Sequence, residues 1–337
     1  MKGSGGKRRL GKKKGEEGYG QGEASIAWDD DVLLDEETMV ATLLACLKAP
    51  DYEPPTLPTV AVDLMRLAQQ PEVSFEEVTA LLEQDGLLAG RVLQIAQSAA
   101  YAGAMPTTTI HDALVRLGLG TLRDIVMQIS MNMKVFKSED YSETMALIRR
   151  HCSVTAHLSK AVSRYTPIEG EYAFLVGLLH DVGIAGTLLA LSHNVSSQRG
   201  RRRPPDLIAI WPAVDRVHEQ AAELLAEHWG LPADLRMAVG AHHQVMIQGF
   251  AHPLSATVAV ANELAHDLGH GVIPKEGAQL ETLTEMERDC ISGYTTIDRS
   301  TDKTLERARE ALQIGDEQMR LIEAEAHKLL PDIEGDL

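Results

Sequence analysis

A histidine and an aspartate, His180-Asp181, stand side by side at the end of an apolar run (Tyr172, Ala173, Phe174, Leu175, Val176, Leu178, Leu179), and Gly183 closes the stretch. The run reads as fully buried. A chain that buries an imidazole and a carboxylate together must give both a partner. Two partners suit them: each other, as a hydrogen-bonded core pair, or a divalent metal, for which both are good ligands. Further histidines lie on either side, His151 upstream and His218 and the adjacent His242-His243 downstream. This constellation speaks for metal more strongly than the dipeptide does.

The rest of the core has to be aliphatic. Aromatic residues make up only 4% of the 337 residues, against 44% hydrophobic overall, and leucine, alanine, valine, isoleucine and methionine without aromatics favour helix packing over a sheet sandwich. No apolar run is expected to span a membrane, and the amino terminus lacks the apolar stretch of a secretory signal. Three scattered cysteines, Cys46, Cys152 and Cys290, fit a reducing cytoplasm. The net charge of −17 argues against a general nucleic-acid surface. The exception is the amino-terminal tail, where Lys2, Lys7, Arg8, Arg9, Lys12, Lys13 and Lys14 meet no acid. It reads as a disordered segment that leaves contact with nucleic acid or anionic lipid open.

Residues 1–34 therefore form a tail. Helical spacing then begins at Asp35, with Met39, Leu43, Leu44 and Leu47 on one face. Pro50, Pro54-Pro55 and Pro58 make an extended connection. Short helices follow: Leu57 to Gln69, one after a Ser74…Glu77 capping box, one after Asp85-Gly86, one from Ile110 to Leu117 closed by Gly118, and one capped by Thr121. A polar patch from Lys137 to Tyr141 ends this first half, residues 35–140. The second half, residues 141–275, opens with a helix from Ser142 to Tyr165 that carries His151. It continues through the His-Asp helix, a polar loop from Asn194 to Pro205, a helix carrying His218, a short helix from Leu235 to His243, and a helix from Pro253. Residues 276–337 add two charged helices. No strand pattern and no repeat are apparent.

These residues resemble the HDOD family, the HD-related output domains of bacterial signalling proteins. Leu57-Pro58-Thr59-Val60 with Leu64 and Leu67 looks like the family's opening helix. Asp85-Gly86-Leu87-Leu88 with Ser98-Ala99-Ala100-Tyr101 is similar to its "Asp-x-x-Leu … Asn-Ser-Ala-x-Tyr" signature, with Gln97 in place of the asparagine. Ile110 to Gly118, Gly177 to Gly183, His218, His228-Trp229-Gly230-Leu231-Pro232 and His242-His243 match in order. The resemblance spans roughly residues 50–270. It implies an all-α fold, an N-terminal helical subdomain packed on a C-terminal HD-type bundle.

The wider HD superfamily includes metal-dependent phosphohydrolases, some acting on cyclic di-nucleotides. By that resemblance His151, His180, Asp181, His218, His242 and His243 are the metal ligands, for Fe, Mn, Zn or Ni. Two departures stand out. Asn262 takes the place of the pattern's last aspartate, and Ile184 stands where active cyclic di-nucleotide phosphodiesterases carry a lysine. The expected function is therefore a non-catalytic signal-transduction module with no catalytic residue of its own, working in trans through a protein partner, with a cyclic di-nucleotide as a candidate ligand. The alternative is a metal-dependent phosphohydrolase. His157, about 120° round the helix from His151, is expected to face elsewhere. His193, His252, His266 and His270 are expected at the surface or in loops, Met127, Met131 and Met133 in the core, and Cys152 to be inert.

Overall fold

Apolar periodicity punctuated by proline and glycine becomes an all-α fold. The computed structural model describes residues 35–98, 101, 103, 107–167, 170–197, 205, 207–247, 249–272 and 299–336. The expected tail, most of the polar loop at 194–205, and Cys290 lie outside these residues. The first helices are α1 (Glu36–Leu47), α2 (Thr59–Leu67), α3 (Phe75–Leu82), α4 (Gly86–Ala96) and α5 (Ile110–Lys134). The second group is α6 (Ser142–Ser163), α7 (Ala173–Leu179), α8 (Val182–Ser197), α9 (Leu207–His228) and α10 (Ala233–Gly240). After α11 (Pro253–Asp267) come α12 (Arg299–Ala311) and α13 (Asp316–Asp336). The expectation of no strands needs one correction: β1 (Met246–Ile247) and β2 (Phe250–Ala251) pair antiparallel in a small hairpin.

Side chains close the starts of α1, α3, α4, α5 and α11. Ser74 Oγ accepts from the Glu77 amide at 3.1 Å, and the Glu77 carboxylate accepts from the Ser74 amide at 3.2 Å. Asp35 and Asp85 cap α1 and α4 in the same way. A second capping box, Thr109 with Asp112, opens α5. Gly118 adopts φ +73°, which breaks the helical path as expected. The chain resumes the helix at once, so Thr121 lies inside α5 instead of capping a new helix.

Three cores result. Val60, Leu64, Val78, Leu82, Leu88, Val92, Leu114 and Leu122 make the first, among α2 to α5. The second fills the space among α6 to α10 and also takes Leu43 and Cys46 of α1. α1, which opens residues 35–140 in sequence, packs on α8 and α9 of the second half. The third joins α6 and α11 to α12 and α13 through Val154, Leu158, Val260, Leu264, Leu312 and Ile322. Met127 and Met131 are buried and Met133 is half-buried. Near the start of α7, Arg123 of α5 is 3% exposed and donates to the backbone carbonyl of Glu171 at 2.5 Å, while pairing with Asp124 at 3.2 Å. This buried clamp fixes the first helices against the segment that leads to His180.

Ala173–Ser196 has the length and apolar composition to cross a membrane, contrary to the sequence expectation of no such run. Here 94% of its most apolar stretch is buried within the bundle. This segment, α7 and α8 with the His180-Asp181 junction between them, is apolar enough to suit a protein core as well as a bilayer, so composition alone cannot separate the two.

Candidate metal centre

Four separate segments bring the six candidate ligands together. α6 presents His151, and the junction between α7 and α8 presents His180 and Asp181. α9 presents His218, and the turn after α10 presents His242 and His243. The sequence placed the histidine pair at the end of a helix; instead the helix stops at Gly240, and Ala241 (φ −146°, ψ 36°) turns the pair toward Asp181. Two glycines allow the close approach. A Cβ on Gly177 would stand 2.6 Å from the Thr155 carbonyl oxygen of α6, and one on Gly183 would stand 1.9 Å from the His218 carbonyl oxygen of α9.

The ligands divide into two groups around one carboxylate. In the first, His151 Nε2 and His180 Nε2 are 3.1 Å apart, and each is 3.3 Å from Asp181 Oδ2. In the second, His218 Nε2 lies 3.2 Å from His242 Nε2 and 3.1 Å from His243 Nε2. The other oxygen, Asp181 Oδ1, faces this second group, 3.4 Å from His242 and 3.7 Å from His218. His151 and His180 are fully buried, whereas His243 is exposed and opens the second group to solvent.

The outer nitrogens fix the tautomers. Nδ1 of His151 faces the His270 carbonyl at 2.8 Å, that of His180 the Gly177 carbonyl at 2.8 Å, that of His218 the Asp215 carbonyl at 2.5 Å, and that of His242 the Val239 carbonyl at 2.8 Å. A carbonyl only accepts, so each Nδ1 carries the hydrogen and each neutral ring turns its lone pair inward at Nε2. Lone pairs then face one another across about 3 Å, which is repulsive unless a proton or a metal cation lies between them. Two nitrogens held ~2.1 Å from one cation at tetrahedral or octahedral angles stand about 3.0–3.4 Å apart. The observed separations fit that range. A carbonyl behind each of these four imidazoles is also the support that metal-ligating histidines use.

Charge favours the same state. Burial pushes the Asp181 carboxyl up, but His180, His151 and His242 outweigh it and hold the group well below the carboxylate range. Burial holds His180 below the ordinary imidazole range; the exposed His243 turns its Nε2 inward, and desolvation there with the neighbouring His242 and His218 holds it well below that range. For His242, burial is overcome by its contact with Asp181, and the ring is shifted upward. An ionised Asp181, with His180 and His243 held neutral, is the protonation state that metal ligands need.

The remaining histidines are placed as follows. His157 packs edge-on against Phe174 at 5.1 Å, and burial lowers it to about 4. It stays out of the centre, as its helical angle required. His252 caps α11, and His193 lies 5.6 Å from the Tyr52 ring. His266 is a correction: it is half-buried on α11, and its ring lies 5.2 Å from that of His151. His270 is in the loop after α11, as expected, but is buried, and its carbonyl orients His151. A role played by a main-chain carbonyl leaves no mark on residue type, so no sequence signal pointed to it. Cys152 is buried and its thiol is held well above its usual range, chiefly by burial. Asn262, one turn before His266 on the same face of α11, has a buried Oδ1 with no partner.

Residues 55–245 match the family profile described as the HDOD domain. The chain belongs to the HDOD family. That match contains five of the helices around the centre and every candidate ligand; α1 and α11 to α13 lie outside it. A Geobacter sulfurreducens HDOD domain protein of unknown function has a similar structure (TM-score 0.60, 22% identity, 89% of this chain and 97% of that one). So does a Shewanella amazonensis protein provisionally named a metal-dependent phosphohydrolase (TM-score 0.55, 17% identity, 82% and 99%). At these identities the likeness is one of fold. A Treponema pallidum protein whose name assigns no activity is 25% identical over 232 residues, and the HDOD chain spans 45% of its length.

Asn262→Asp is expected to tighten metal binding about tenfold or more, because a carboxylate replaces a neutral amide whose buried Oδ1 stands one turn from His266. Competition with a chelator measures it. An unchanged affinity would remove Asn262 from the neighbourhood of the centre.

Proposed function

We propose that this HDOD chain is a metal-dependent phosphohydrolase acting on a phosphate ester, with a cyclic di-nucleotide among the candidate substrates. The observation that carries the reading is the division of five imidazoles into two groups that share the two oxygens of Asp181. His151, His180 and Asp181 would hold one divalent cation, and His218, His242, His243 and the same carboxylate a second. Nitrogen-rich ligation suits Fe, Mn, Zn or Ni. When bound, such cations supply Lewis acidity toward phosphoryl oxygens and a water of lowered pKa. The chain itself bridges the two groups through Asp181, locks the ring orientations through backbone carbonyls, and leaves an approach at exposed His243.

A second reading is a non-catalytic signalling module that relays a signal to a protein partner and keeps the centre for ligand sensing. Two observations favour it. Ile184, beside the pair, is 1% exposed and offers no positive charge to a phosphate, and Asn262 gives the centre no second anion. One experiment separates the readings. The protein is purified without an affinity metal, its metal content measured, and hydrolysis of bis(4-nitrophenyl) phosphate followed beside His180→Ala. About two metals per chain with turnover that His180→Ala abolishes is the expected result. Metal without turnover on diesters or monoesters would favour the signalling module, and a folded, metal-free protein would overturn the phosphohydrolase.

A further inference from the structure

The helix that delivers His180 and Asp181 has no side-chain cap of its own. α7 is seven apolar residues, all buried, and Tyr172 at its N-cap makes no side-chain capping bond. Apolar burial is non-directional. It keeps such a helix in the core without fixing how far it slides or turns. The hold on its start comes from another helix. Arg123 of α5 donates to the Glu171 backbone carbonyl at 2.5 Å and to the Glu171 carboxylate at 3.3 Å, and its guanidinium stands 5.0 Å from the centre of the Tyr172 ring. A rigid planar fork of donors fixes an angle as well as a position.

The guanidinium is itself anchored. It donates to one oxygen of Asp124 at 3.2 Å, and Lys160 of α6 donates to the other at 3.0 Å. Lys160 lies nine residues beyond His151, about 13 Å along the same helix. The cluster therefore ties the start of α7 to α6. These two segments carry the whole first group, His151 on α6 and His180 with Asp181 at the end of α7. Among the described residues, none of the cluster's hydrogen bonds reaches α9 or the turn after α10, which carry the histidines of the second group. Arg123 and Asp124 are both buried. Buried ion pairs are a poor source of stability, since apolar residues of similar volume often serve as well. What they supply in addition is direction, which the ligand pair at the far end of α7 needs.

We infer that Arg123 is a positioning residue for the first group: anchored by Asp124 and Lys160, it sets His180 and Asp181 against His151, and so sets that group's affinity for its cation from α5. The first half of the chain then takes part in the centre without contributing a ligand. The inference rests on the metal-binding reading given above. It also makes the effect unequal: loss of the clamp disturbs two of the three ligands of the first group but only the shared carboxylate of the second.

The test uses the full chain carrying Arg123→Met with Asp124→Asn, which removes the pair together and leaves neither partner charged and buried alone. It is compared with the chain that keeps both residues, each in a His243→Ala background, where the first group dominates the titration. Affinity for Zn(II) is measured by competition with a chelator well below the melting temperature, and amide hydrogen exchange is followed on the metal-free chain. The double variant is expected to bind about 10–100-fold more weakly, the usual loss when the support behind a ligand is removed, and to exchange faster over residues 173–181 but not over α9. Arg123→Lys keeps the charge beside Asp124 but lacks the fork, and its affinity is expected to fall between the two. A clamp that served stability alone would lower the melting temperature and leave the affinity of the folded chain unchanged. Parental affinity in the folded double variant, or in Arg123→Lys if the double variant does not fold, would overturn the inference while leaving the centre standing. An unsubstituted chain that binds no Zn(II) would overturn the centre and the inference together.

Discussion

Asp181→Asn is expected to weaken metal binding in both groups at once, by about 100-fold or more in each. Substitutions that only support a ligand typically cost 10–100-fold in affinity, and Asp181 is itself the shared ligand. Its Oδ2 stands 3.3 Å from His151 Nε2 and from His180 Nε2, and its Oδ1 3.4 Å from His242 Nε2. Asparagine keeps the shape, so folding survives, but it removes the one anion common to both groups. Calorimetric titration with Zn(II) or Mn(II) measures the loss. His243→Ala, by contrast, is expected to weaken the second group alone, because His243 contacts His218 and His242 but neither ligand nitrogen of the first group. An Asp181→Asn protein that keeps both cations with parental affinity would sink the shared-carboxylate centre.

Gly183→Ala carries the largest expected cost to the fold. The new Cβ would lie 1.9 Å from the His218 carbonyl oxygen and 2.6 Å from the Ala222 amide nitrogen, both backbone atoms of α9. No rotamer relieves a backbone collision, so α8 and α9 must separate. Overpacking of a core typically costs 1–3 kcal/mol and occasionally more; a rigid contact of this kind belongs at about 3 kcal/mol, or roughly 5–10 °C in Tm. The same displacement moves Asp181 away from His218, so the second group should lose affinity for its cation. Gly186→Ala, one turn further along α8, is the control. Its Cβ would meet chiefly the Leu225 Cδ1 atom, at 2.6 Å, the end of a flexible side chain, and is expected to cost about 1 kcal/mol or less. Equal melting temperatures for Gly183→Ala and the parent would refute the backbone contact.

Residue type and local spacing were sufficient for much of this. The scarcity of aromatics and the apolar periodicity determined an all-α fold. Proline, glycine and capping residues such as Asp35, Ser74 and Asp85 set most helix starts, because those rules act within a single turn. The six candidate ligands could be named because histidine and aspartate carry their chemistry in the side chain. Tertiary structure decided how they are shared. That Asp181 turns one oxygen to each group, that α10 ends early so the turn can aim His242 and His243, and that α1 packs beside α8 and α9 all depend on contacts between segments distant in sequence. The support given to His151 by the His270 carbonyl belongs with them, since every residue type offers the same carbonyl. Ala173–Ser196 shows the limit most directly: its sequence suits a bilayer or a core, and only the helices packed around it make it a core.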